Sequence, residues 1–133
     1  MAENTFELKI IAPDRMFYED EADFLEFTSV EGEMGVYAKH VPTTTILEPC
    51  VMTIHKGKEE KKAAVLGGFV EILKDQITVM AEDAQWPDEI DPERAKAALE
   101  RAEQRIQSHE KNTDVARAET ALKRAMARIE AIK

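Results

Sequence analysis

The sequence predicts an all-β sandwich followed by an α-helical hairpin, an α+β chain in two parts. Residues 1–86 form an antiparallel β-sandwich and residues 87–133 an antiparallel two-helix hairpin. Three observations lead there. Up to residue 84, apolar residues alternate with polar ones or form brief runs, and turn residues interrupt them often. After Trp86-Pro87 the apolar spacing lengthens to steps of three and four. The tail then writes one helix twice: Asp91–Ile106 and Asp114–Ile129 align with a shift of 23 residues, and 9 of 16 positions are identical.

The strand segments are "TFELKII", "ADFLEFTSV", "CVMTIHKG", "KKAAVLGGFVEILKD" and "QITVMAED". Pro13-Asp14, Glu31-Gly32, Gly35, Pro42, Pro49, Gly57 and Lys74-Asp75 are the turn signals between them. Strands this short and dense, with no helix among them, pack as a sandwich or flattened barrel. Gly67-Gly68 inside a strand pattern suggests a bulge or a close backbone approach.

The first helix opens with Asp91 as N-cap, Pro92 at the first helical position and Glu93 at the positive helix end. Its apolar stripe is Ala95, Leu99, Ala102 and Ile106. "SHEKNTD" (Ser108–Asp114) breaks the pattern, and the second stripe is Val115, Ala118, Leu122, Ala125, Ile129 and Ile132. Both stripes are narrow and alanine-rich, as in the seam of two closely packed helices. Alanine buries little area, so the hairpin is weakly anchored; a stable tail and an arm able to open both fit.

Net charge is −9. Residues 1–86 carry 8 basic and 17 acidic side chains, and residues 87–133 carry 10 of each. An acidic body lacks the cations that nucleic-acid binding requires, so no nucleic-acid partner is expected. No apolar run is long enough to span a bilayer, and "MAENTFELKI" does not read as a signal peptide. The one cysteine, Cys50, cannot form an internal disulfide. His55 and His109 lack ligands at metal-binding spacing, so no metal site is expected. Met16, Met34, Met52, Met80 and Met126 read as apolar packing. Without a Gly-x-Ser-x-Gly, a P-loop or a Cys-His pairing, no catalytic residues are assigned.

Arg94, Arg101 and Arg105 repeat as Arg117, Arg124 and Arg128, each immediately before a seam residue. Folding the hairpin near residue 111 places both rows on one face, with Arg94 beside Arg128, Arg101 beside Arg124, and Arg105 beside Arg117. Arg101, Arg105, Arg124 and Arg128 have no acidic partner three or four residues away on their own helix. The row is either a solvated basic face or a face for an anion. Guanidinium forks suit a nucleotide triphosphate or an acidic helix of another protein.

Several segments resemble the epsilon subunit of bacterial F-type ATP synthases. "IDPERA" (Ile90–Ala95) resembles the Ile/Leu-Asp-x-x-Arg-Ala motif at the start of that family's hairpin. Gly32, Glu33, Gly35, His40 and Pro42 fit its Gly-Glu-x-Gly…His-x-Pro segment, and "GGFVEI" (Gly67–Ile72) its Gly-Gly-Phe stretch. The resemblance implies a non-catalytic rotor subunit of the proton- or sodium-driven synthase, peripheral on the cytoplasmic face of the bacterial cell membrane. Its sandwich would bind the gamma subunit and rest on the c-ring, with Glu31, Glu33 and His40 in the c-ring contact. Its hairpin would extend into the catalytic alpha/beta ring and restrain ATP hydrolysis. No cofactor is required, but in several bacterial members ATP holds the hairpin folded. By motif, the ATP-contacting positions would be Asp91, Arg94, Arg101, Arg124 and Arg128. The chain departs from the family at Gln85, where nucleotide-binding members carry an acid, and at Cys50, where glycine is usual. The alternatives are a sandwich module unrelated to the synthase, gripping an acidic partner with its arm, and a small enzyme using acidic loop residues.

Overall fold

A computed structural model describes residues 4–108 and 114–133. Of the predicted helix break at Ser108–Asp114, residues 109–113, His109 among them, lie outside the described residues. The strands are β1 (Phe6–Ala12), β2 (Arg15–Ala22), β3 (Phe24–Ser29), β4 (Gly32–Tyr37), β5 (Thr43–Lys56), β6 (Glu59–Ile72), β7 (Gln76–Ala81) and β8 (Ala84–Gln85). A 3-10 turn at Pro87–Glu89 leads into α1 (Pro92–Ser108) and α2 (Val115–Ala131).

The strand order is β2-β1-β7-β6-β5-β3-β4, with β8 beside β6. One core takes Phe17 and Tyr18 from one end of that order and Leu25, Phe27 and Val36 from the other. The sheet therefore folds over on itself, and the long β5 and β6 run through both layers. Pairing is antiparallel except between β1 and β7, which run parallel, a correction to the all-antiparallel expectation.

Three strands were not predicted: β2, β4 and the two-residue β8. In β2, "RMFYEDEA", only Phe17, Tyr18 and Ala22 are buried, so a charged edge strand hid the alternation. In β4, Gly35 is not a turn: it lies in the strand under the ring of Phe24, where a Cβ would meet that ring at 2.7 Å. Nor does Pro49 end a strand. It sits within β5 where β3–β5 pairing is interrupted between Glu26 and Ser29. There the Thr28 N–H donates to Cys50 Sγ at 3.4 Å, so the thiol takes the role of a ladder carbonyl. Among the methionines, Met52 is fully buried, but Met16, Met80 and Met126 are exposed.

The Gly-Gly signal marks both a kink and a close approach. Gly67 and Gly68 have φ of +100° and +121°. A Cβ on Gly68 would lie 2.0 Å from the Met80 carbonyl oxygen. At this point β6 leaves β7, at the Gly68–Ala81 pair, and resumes with β8 at Val65–Ala84. The Glu82 N–H donates to the Gly67 carbonyl, and the Leu66 N–H to that of Asp83, so the β7–β8 corner is held as two projecting acids.

The run "AAVL" (Ala63–Leu66) is buried at every position. Such a continuous run requires cover on both faces of the sheet. Ala63 and Val65 face the core, while Ala64 and Leu66 meet Ile90, Ala95, Ala127 and Ala131. Thus α2 lies on the outer face of β5 and β6. Ala95 and Ala102 of α1 and Ala118 and Ala125 of α2 are buried as predicted, whereas Val115 is exposed. The sequence reading missed the second small stripe, Ala127 and Ala131, four residues apart.

Candidate functional site

The link between sandwich and hairpin is fastened. The Arg15 guanidinium donates to both Glu89 carboxylate oxygens, at 2.8 and 2.7 Å. One of those oxygens also accepts the Trp86 N–H at 2.9 Å. The Arg15 hydrogen bond, helped by the Trp86 N–H, holds Glu89 down at about 2. The Trp86 ring stacks on Phe17 at 4.3 Å, and the Arg15 guanidinium lies over the same Phe17.

Beyond this link, Asp91 is the cap it was predicted to be. Its carboxylate accepts the N–H groups of Glu93 and Arg94 at 3.0 and 3.3 Å. Asp114 accepts the Arg117 N–H at 3.1 Å. The repeated aspartate is thus explained by capping. Neither acid pairs with the guanidinium of the arginine three residues on.

The arginine row divides into two groups. Burial pushes the Arg128 guanidinium below its ordinary range; Asp83 opposes this, while the positive charges of Arg124 and Arg94 reinforce it. Arg94 and Arg124 thus act on the charge of Arg128. Arg101, Arg105 and Arg117 are exposed, and their guanidiniums form no ion pair among the described residues.

Counter-charge absent from the helices comes from the β7–β8 corner. Arg124 Nη2 donates to Glu82 Oε2 at 2.8 Å. Arg128 Nε donates to Gln85 Oε1 at 2.7 Å, and its Nη2 lies 3.6 Å from Asp83 Oδ2. Lys123 pairs with Glu48 at 3.2 Å. Only Arg124 Nε is both buried and without a hydrogen-bond partner among the described side chains. This corrects the picture of an arginine face lacking local carboxylates. The missed residues are Glu82 and Asp83, and their signal was two consecutive acids just before the hairpin.

The residues expected at the c-ring flank β4. Glu31 and Glu33 are exposed at the β3–β4 turn. His40 lies in the loop after the other end of β4, a six-residue strand about 17 Å long at 3.4 Å per residue. Its Nδ1 bonds the Val41 carbonyl at 2.7 Å, and Lys39 just before it has φ +63° and donates to the Lys74 carbonyl.

One surface was not predicted. Ile46 pairs with Phe69, Phe69 with Met80, Met80 with Ile11, and Ile11 with Met16. Directly paired residues share a face, so these five make a row across β5, β6, β7, β1 and β2. Ile46, Phe69, Met80 and Met16 are 60, 45, 39 and 48% exposed. At about 4.8 Å per strand the row is about 19 Å long. Its sequence signal is phase: each is an apolar residue beside a buried core residue, where alternation calls for a polar one.

Among the described residues no helix is long and apolar enough to cross a membrane, and no three His, Cys, Asp or Glu side chains group as metal ligands.

The family model for the ATP synthase delta/epsilon chain β-sandwich domain matches residues 5–87, and that for its long α-helix domain matches 88–133. The chain is 42% identical to the ATP synthase epsilon chain of Ruminiclostridium cellulolyticum, over 96% of this chain and 95% of that one. It is 40% identical to that of Halalkalibacterium halodurans, over 95% and 96%. Among solved structures, it matches a chain of the Euglena gracilis mitochondrial ATP synthase, OSCP/F1/c-ring, in rotational state 1. The TM-score is 0.82 at 25% identity, covering 96% of this chain and 80% of that one. A chain of the Tetrahymena thermophila mitochondrial ATP synthase central stalk/c-ring matches in fold, with a TM-score of 0.62 at 12% identity, covering 96% of each chain. The chain belongs to the ATP synthase epsilon family, as a non-catalytic subunit.

Proposed function

We propose that this chain is a central-stalk rotor subunit of a bacterial F-type synthase, held at the cytoplasmic face of the membrane by its neighbours. Residues 1–86 bind the gamma subunit and rest on the c-ring, and residues 87–133 regulate hydrolysis. The apolar row Ile46–Phe69–Met80–Ile11–Met16 carries the docking part of this reading, because a flat exposed row of large apolar side chains fits a partner surface. Gamma is the partner assigned to it. Glu31, Glu33 and His40 meet the c-ring, Glu31 and Glu33 from the β3–β4 turn and His40 from the loop after β4.

The hairpin closes on the sandwich and, when released, reaches the alpha/beta subunits. ATP favours the closed form through Arg94, Arg101, Arg124 and Arg128 with the Asp91-capped helix end. Arg124 and Arg128, whose guanidiniums both reach the β7–β8 corner, support this assignment. The test is binding of purified gamma to wild type and to Phe69→Ser/Met80→Ser. Loss of two central apolar anchors weakens binding by about 30-fold or more. Equal binding by both chains refutes the docking assignment.

A further inference from the structure

Glu82 and Asp83 project from the β7–β8 corner onto the guanidiniums of Arg124 and Arg128, at 2.8 and 3.6 Å. Gln85 adds a neutral acceptor at 2.7 Å. The corner is placed by backbone bonds to Gly67 and Leu66, so the acids are carried on a fixed element. Gly67 also leaves them room, since a Cβ there would come within 3.0 Å of Glu82 Oε2. Arg124 and Arg128 are two of the positions assigned above to nucleotide phosphate.

We propose that Glu82 and Asp83 act as a built-in anion: they hold the hairpin closed in the absence of nucleotide and compete with phosphate for Arg124 and Arg128. This rests on the arm-and-nucleotide reading and adds a direction to it. Two like charges on neighbouring turns of α2 need negative charge nearby, and the sandwich supplies it whenever the arm is down. A phosphate ligand entering the face must displace Glu82 from Arg124. Closure in this chain therefore depends less on ATP than the arginine row alone would suggest, and ATP binds more weakly than the row would allow.

The test compares the full wild-type chain with Glu82→Gln/Asp83→Asn. A control variant, Glu59→Gln/Asp75→Asn, has the same change in net charge away from the hairpin. Hydrogen exchange of α2 amides without nucleotide reads closure, and equilibrium dialysis with ATP reads competition. Exchange in the corner variant rises about three- to tenfold over the control, the range for two partly exposed ion pairs, while ATP affinity rises. Exchange matching the control overturns the proposal. So does ATP that binds wild type and binds the corner variant no tighter. If ATP binds none of the three chains, the nucleotide reading and the competition fail together, and exchange alone decides whether the acids hold the arm.

Discussion

Gly68→Ala tests the backbone geometry that sets the β7–β8 corner. Alanine at φ +121° enters a region that side chains rarely adopt, at roughly 1–3 kcal/mol. Its Cβ would also lie 2.0 Å from the Met80 carbonyl oxygen and 3.0 Å from Ala81 Cα. Both are backbone atoms of the paired strand, so no side chain can yield; β7 must shift, for roughly another 1–3 kcal/mol. The sum is about 2–6 kcal/mol, against a total stability of about 7–20 kcal/mol for a chain of this size. The assay is urea unfolding, in which the midpoint falls by about 2 M for a slope of about 2 kcal/mol per molar. Gly57→Ala is the matched control: its φ is +60°, but nothing lies within 4 Å of the added methyl, so it costs only about 1–2 kcal/mol. Equal midpoints for the two variants refute the close-approach account.

Three other outcomes are expected. Ala127→Leu overfills the contact with Ala64 and Leu66 and lifts α2, for about 1–3 kcal/mol of docking; limited proteolysis should cut the hairpin first, and an unchanged pattern counts against this. Glu89 is held at about 2 against an ordinary 4.5, so its contribution is present above pH about 4.5 and is lost as pH falls toward 2; in Glu89→Gln that part of the acid sensitivity, followed by urea midpoints, disappears. Burial pushes the Cys50 thiol up to about 11, so a thiol reagent at pH 8 reacts slowly with the folded chain and rapidly in urea, and fast reaction of the folded chain contradicts the burial.

The helices were legible because their pattern is local. Alanine steps of three and four, an Asp-Pro start and a repeated aspartate cap need no partner to be recognised. The strands were legible where alternation was clean, as in β1, and hidden in β2, whose charges belong to an edge. In the site, one helix predicts where its own arginines point but not what the sandwich places opposite them. Glu82 and Asp83 reach Arg124 and Arg128 across 42 and 45 positions of sequence. The outward row is visible only once register is known, since Ile46, Phe69 and Met80 become neighbours through pairing alone.

The strip Ala63–Leu66 has a consequence for any shortened form of this protein. With α2 gone, Ala64 and Leu66 would face water in the middle of a strand that already carries Phe69 bare on the other layer. Cutting off the tail is therefore not a neutral way to ask what the tail does, because it also creates a sticky window on the body. Removing the charges of Arg124 and Arg128 while keeping the helix leaves that window shuttered.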